Sequence, residues 1–161
     1  ALAGFAGDQG GMSFRSHMDR ALSEARAAAE IGEVPGGAVL VGPDGAVLAA
    51  AGNRTRTLTD PTAHAEMLVL REGARRLGSE RLTGCDLYVT LEPCAMCAAA
   101  ISAARIARLS YGAADPKSGG VAHGAKVFTH PQAHHVPEVY DGIGEAEAAA
   151  LLKTFFAARR D

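Results

Sequence analysis

The sequence contains no tryptophan, and aromatic residues make up only 5% of it. A core with so few large rings has to be lean. Cysteines are also scarce: Cys85, Cys94 and Cys97 are the only three. An odd number cannot all pair within the chain, and three are too few for a disulfide scaffold. A reduced compartment, the cytoplasm, is therefore expected. No apolar run reaches the roughly 18 residues that a membrane span needs, so no membrane association is expected. Neither sign of charge dominates: Lys plus Arg total 16 and Asp plus Glu total 18, a net charge of −2. That balance excludes a uniformly basic nucleic-acid binder. Charged residues at 21% and hydrophobic residues at 48% also exclude wholesale disorder.

What is abundant is alanine, 34 of the 161 residues. The length suits one domain with a real core, and the alanines predict helices packed close on their neighbours. Ala1 to Gly11 is rich in Gly and Ala and has no basic stretch, so it reads as a flexible leader and not a signal peptide. The expected division is a leader over 1–12, with Met12 a candidate start, and a single domain over 13–161.

Along the chain, apolar residues at steps of three and four predict a helix over Ser13–Glu30, ended by Gly32 and Pro35. Two β-type runs, Gly37–Val41 and Ala46–Ala51, are joined by Gly42-Pro43-Asp44-Gly45, a hairpin turn. Gly52 to Asp60 is a polar loop, and Pro61 or Thr62 opens a helix to about Leu77. Asp86–Leu91 is a strand, Cys94 to about Arg105 a helix, and Ile106–Gly112 a strand. Ala113 to Lys126 is a loop. A turn of helix at Val127–Phe128, a short strand near Val136–Tyr140 and a helix over Gly144–Arg160 complete the chain. The pattern predicts a three-layer α/β/α sandwich whose mixed five-stranded sheet starts with an antiparallel hairpin. The strand–helix–strand unit from Asp86 to Gly112 favours a parallel pair with a right-handed crossover.

The chemistry concentrates in His64-Ala65-Glu66 and Pro93-Cys94-x-x-Cys97. Cys94 and Cys97 share one face of the first turn of a helix, where the positive helix end favours thiolates. Two thiolates and one imidazole suit one zinc ion per chain, with water or hydroxide as fourth ligand, the arrangement of a catalytic site. Such an ion lowers the pKa of its water toward ~7. Glu66 then suits a proton shuttle. Residues two apart point to different sides of a regular helix, so His64 and Glu66 converge only if His64 lies at the helix entry.

The pattern His-x-Glu followed by Pro-Cys-x-x-Cys is the signature of zinc nucleobase deaminases. The surrounding text sharpens the likeness. Gly32-Glu33-Val34-Pro35, Gly52-Asn53-Arg54, Asp60-Pro61-Thr62-Ala63-His64-Ala65-Glu66, Thr90-Leu91-Glu92-Pro93-Cys94-Ala95-Met96-Cys97 and Asp115-Pro116-Lys117 resemble the bacterial tRNA-specific adenosine deaminases, from about Met18 to Arg160. The resemblance implies a cytidine-deaminase-like fold, a homodimer, and deamination of the wobble adenosine to inosine in the anticodon stem-loop of an arginine tRNA. It implies His64, Cys94 and Cys97 as zinc ligands and Glu66 as the catalytic proton shuttle. It also implies Pro35, Asn53 and Ala65 at the base, Asp115 and Lys117 on a loop near the anticodon, and Phe156, Arg159 and Arg160 against RNA. Gly36, where the family usually has Val or Ile, Ala114, and the Val121–Ala133 loop depart from the family pattern.

Other readings compete. A Cys-x-x-Cys pair alone suits a redox couple or half of a structural zinc site. The same chemistry also serves a free nucleobase or nucleoside such as guanine or cytosine, and a non-catalytic RNA-binding subunit would keep zinc for structure alone. Cys85 reads as a buried small hydrophobe, and Asn53 on its own as a turn residue. His134 and His135 read as a polar loop, and His17, His123 and His130 suggest no role. Phe155 fits the apolar stripe, while Phe156 falls beside it as a stacking candidate. Arg54, Arg56, Lys117, Arg159 and Arg160 form an RNA-facing cluster only if folding brings them to one face.

Overall fold

The computed structural model describes residues 14–159, so Met12, the leader and Arg160 lie outside the described residues. The first helix, α1 (Phe14–Glu30), buries Met18, Ala21, Leu22, Ala25 and Ala28 on the predicted stripe. It lies on the hairpin of β1 (Gly37–Val41) and β2 (Val47–Gly52). The approach is close because glycines face it. A Cβ at Gly37 would run into the carbonyl of Ala21, and one at Gly52 would stand 2.7 Å from the Glu24 carbonyl oxygen. The hairpin is antiparallel and turns at Gly45, whose φ of 88° only glycine adopts freely.

Two strand–helix units follow. The helix α2 (Ala65–Leu77) precedes β3 (Asp86–Leu91), and α3 (Ala95–Ala104) carries the chain to β4 (Arg108–Ala113). Pairing of β3 with β4 is parallel, as the sequence predicts. After a 3-10 turn at Val127–Thr129 come β5 (Glu138–Tyr140), parallel to β4, and α4 (Glu145–Arg159). The sheet order is β2-β1-β3-β4-β5, and β1 runs antiparallel to β3, so the five-stranded sheet is mixed.

Alternation along β1 divides the core into two layers. Ala38 and Leu40 join Val69, Leu87, Ile101 and Leu109 under α2 and α3, while Val39 and Val41 join Met18, Leu22 and Ala148 under α1 and α4. Gly73 lets α2 settle onto Leu40. This is the predicted three-layer α/β/α sandwich, packed through small residues.

Among the boundaries that differ from expectation, three have a traceable local cause. The second helix starts at Ala65 and not at Pro61 or Thr62. Asp60 accepts hydrogen bonds from the Thr62 N–H and hydroxyl, which fold these residues into a turn, and His64 is extended (φ −68°, ψ 153°). Cys94 is the N-cap of α3 and not its first helical residue. The strand β4 starts at Arg108 and not Ile106, because left-handed Arg105 (φ 64°) and the Ile106 N–H bond to Ile101 hold the chain at the helix end.

Candidate active site

Both chemistry-bearing motifs arrive at helix starts. His64 caps α2, and its carbonyl accepts the first helical bond, from Leu68. This extended backbone meets the geometric condition above, since His64 lies outside the regular helix while Glu66 lies within its first turn. Cys94 caps α3 with φ −71° and ψ 175°, and Cys97 follows in the first turn. Strand β3 delivers Cys94, because Glu92-Pro93 stops the strand directly before the helix.

The ligand atoms meet. Cys94 Sγ lies 3.6 Å and Cys97 Sγ 3.4 Å from His64 Nδ1, and all three lie within 4.8 Å of one another. A tetrahedral ion with Zn–S of about 2.3 Å and Zn–N of about 2.0–2.1 Å has an S···N edge of about 3.5 Å. The donor set therefore fits zinc and uses Nδ1 as the imidazole ligand. His64, Cys94 and Cys97 are the metal-binding group of this fold, with Cys97 fully buried. Hydrogen bonds from Cys97 and then His64 hold the Cys94 thiol down at about pKa 4. Cys94 and burial push Cys97 the opposite way. Its hydrogen bond with Cys94 raises the His64 pKa. An ion needs both thiols and His64 Nδ1 free of protons, so its binding releases protons.

Glu66 is 8% exposed, and burial raises its pKa above the ordinary carboxylate range. It lines a cleft of about 270 Å³ together with His64, Cys94, Asn53, Ala65 and Asp115. Asn53 is anchored by its N–H, which donates to the Gly36 carbonyl. Its Oδ1 is buried and has no hydrogen-bond partner within the protein, a condition that native structures rarely tolerate without a use. A turn residue placed only for its backbone would have no need to bury that amide.

Folding separates the remaining predicted residues. Pro35 does not line the cleft, but its neighbours Val34 and Gly36 do. Lys117 does not either, whereas Ser118 does. Asp115 Oδ1 accepts hydrogen bonds from the N–H groups of Lys117 and Ser118, so this carboxylate also shapes its own loop. Phe156 is 46% exposed on α4, while Phe155 is buried. The Arg159 guanidinium stacks 3.6 Å over the Phe155 ring and reaches Gly32. Arg54 borders a different depression, between β2 and α2, beside Leu58 and Arg76.

Cys85 is free and fully buried, and burial raises its pKa. His135 is structural: its Nε2 lies 2.7 Å from the Ile106 carbonyl oxygen. Among the described residues, neither His134 nor His135 joins a metal-ligand group. No helix there is long and apolar enough to cross a membrane.

Two buried carboxylates escaped the sequence reading. Glu33, 1% exposed, accepts hydrogen bonds from the Arg56 N–H and from the Thr57 N–H and hydroxyl, and so shapes the loop that follows Asn53. Glu92, 3% exposed, lines the cleft and receives donors from the Asp115–His123 side. The only available signal was an acid at the end of an apolar strand, which in the sequence reads as a strand breaker.

The zinc-binding region of cytidine and deoxycytidylate deaminases matches residues 13–113. The chain is 59% identical over 150 residues to the tRNA-specific adenosine deaminase of Agrobacterium fabrum (strain C58 / ATCC 33970), covering 92% of this chain and 98% of that protein. The chain belongs to the tRNA-specific adenosine deaminase family. The enzyme of this name from Bacillus subtilis (strain 168) is 44% identical over 140 residues, 87% of this chain and 86% of the relative. A structure solved in a study of A-to-I editing by tRNA:A34 deaminases at the wobble position superposes with a TM-score of 0.83 at 60% identity, covering 84% of this chain and 98% of the other. A guanine deaminase from Bacillus subtilis is more distant, with a TM-score of 0.64 at 31% identity over 93% of this chain and 96% of the other. Family membership assigns the cluster of His64, Cys94 and Cys97 to zinc, and the chain to the zinc-dependent deaminases.

Proposed function

We propose that this chain hydrolyses adenosine to inosine at the wobble position of a tRNA anticodon loop. By family likeness the substrate is an arginine tRNA, and the enzyme works in the cytoplasm as a homodimer. The cleft carries the reading: two of the three zinc ligands, His64 and Cys94, a buried carboxylate and the residue with an unsatisfied amide oxygen border one space of about 270 Å³.

Zinc held by His64, Cys94 and Cys97 would supply an activated water as the nucleophile. Glu66 takes a proton from the nucleophile, gives it to the ring nitrogen and then assists the leaving amine. Burial raises its pKa, so it takes up a proton more readily than an exposed carboxylate. Asn53 offers Oδ1 to the nucleoside, since the protein gives that atom no donor. Ala65 and Asp115 line the cleft, and Pro35 sets the chain between the lining residues Val34 and Gly36. Lys117, Phe156, Arg159 and Arg160, with Arg54 and Arg56, contact the RNA around it. An unpaired loop gives up a base at least cost, which suits an anticodon better than a duplex. Few phosphate contacts are needed to hold a small loop, so a net charge of −2 is compatible with this substrate.

Ammonia release from an anticodon stem-loop, compared with free adenosine, guanine and cytidine, tests the proposal. Turnover of the stem-loop is expected. Turnover of a free base with none of the stem-loop overturns it.

A further inference from the structure

The loop after β4 brings Asp115 and Ser118 to the cleft, yet its residues belong to no helix or strand until Val127. What holds it is Glu92. Oε1 accepts hydrogen bonds from the Asp115 N–H (3.0 Å) and from His123 Nδ1 (2.8 Å). Oε2 accepts from three successive N–H groups, those of Val121 (3.1 Å), Ala122 (2.9 Å) and His123 (3.0 Å). Successive N–H groups make an anion-binding concavity, and here the chain fills it with its own carboxylate. Gly119 and Gly120 permit the wrap: a Cβ at Gly119 would meet the Glu92 carboxylate, and one at Gly120 would meet the Ala95 nitrogen at 2.5 Å.

A carboxylate has about four lone-pair sites, and five donors saturate it. Glu92 therefore has nothing left to offer substrate or metal, although it lines the cleft two residues from Cys94. His123 must carry its proton on Nδ1, because its partner is an acceptor. We infer that Glu92 and His123 are positioning residues: Glu92 is the template on which the cleft-facing loop 115–123 is folded, and His123 latches the far end of that loop. The inference rests on the proposed function for its kinetic consequence and on geometry alone for the loop.

The His123 side chain is 37% exposed, so its replacement leaves the core intact. Zinc-loaded wild type, His123→Ala and His123→Asn are compared by amide hydrogen exchange across residues 115–126 and by kinetics on the stem-loop. Asn places an amide nitrogen close to the position of Nδ1. In His123→Ala, faster exchange at 121–123 and a KM raised about tenfold are expected, the effect of one charge-assisted hydrogen bond. Zinc content should hold, and kcat should stay within about threefold. His123→Asn should restore most of both readouts. Unchanged exchange in the Ala variant, or an Asn variant as impaired as Ala, overturns the inference. So does a fall in kcat at constant KM, which would mean contact with the reacting atoms. A wild type without stem-loop turnover removes the proposed function instead, and the exchange measurement still decides the role of the latch.

Discussion

Two buried glutamates line the same cleft and are driven in opposite directions. Glu66 and Glu92 are 8% and 3% exposed. At Glu66 burial dominates and raises the pKa; its only hydrogen-bond help comes from its own backbone N–H and the Cys97 thiol. At Glu92 burial pushes the same way, but hydrogen bonds from Asp115, His123 and Val121 outweigh it and the pKa falls. Burial alone therefore does not mark a proton carrier. A carboxylate with lone pairs to spare, as at Glu66, is free to take up a proton. The saturated one is a permanent anion that organises backbone.

The largest test of this contrast is Glu66→Gln. We expect kcat to fall by about 10²–10⁴-fold while zinc content, read by metal analysis, stays at one ion per chain. A variant stripped of metal, or one that turns over normally, would dissolve the distinction.

Asn53→Ala sharpens it from the substrate side. The amide oxygen satisfies nothing within the protein and the amide nitrogen makes only a long bond of 3.5 Å to the Val34 carbonyl, so removal of the amide should leave the melting temperature nearly unchanged. Stem-loop kcat/KM should fall by about 10–100-fold, the cost of one or two hydrogen bonds that substrate alone completes. A drop in stability without one in kcat/KM would make Asn53 structural.

Glu92→Gln addresses the other carboxylate. It sets an amide NH₂ against backbone donors and should cost about 2 kcal/mol by denaturant titration. Its kcat should fall far less than that of Glu66→Gln. Equal loss of kcat in the two variants would break the comparison.

The smallest effect concerns Glu33. Burial pushes its pKa up, but hydrogen bonds from Thr57 and Arg56 outweigh this and hold it low. A lowered folded pKa contributes stability that is full above the unfolded value and lost as pH falls through the folded one. Between about pH 5 and about pH 2 the wild type should therefore lose more stability than Glu33→Gln. Parallel urea midpoints for the two proteins would show that Glu33 does not act this way.

The ease with which elements were read tracks how local their causes are. The stripe of α1, the Asp-Gly hairpin and the β3–α3–β4 unit follow from periodicity and turn chemistry within a few residues. The early start assigned to α2 failed because the Asp60 carboxylate, a side chain competing for backbone donors, turns the chain before the helix begins. Within the site, the residue types and spacing of His64, Glu66, Cys94 and Cys97 carry their own chemistry. Glu33 and Glu92 carry none until one knows which distant N–H groups fold onto them.

Sequence alone therefore determined the sandwich, the metal-ligand set and the presence of a nearby carboxylate, because periodicity, helix starts and ligand spacing are properties of short segments. Tertiary structure decided that His64 is extended so that it can face the cysteines, that the Asn53 amide oxygen is left without a partner, and that one cleft glutamate is open while the other is closed. The closure of Glu92 depends on donors brought together from 23 to 31 residues away, and no local pattern encodes which of them will meet.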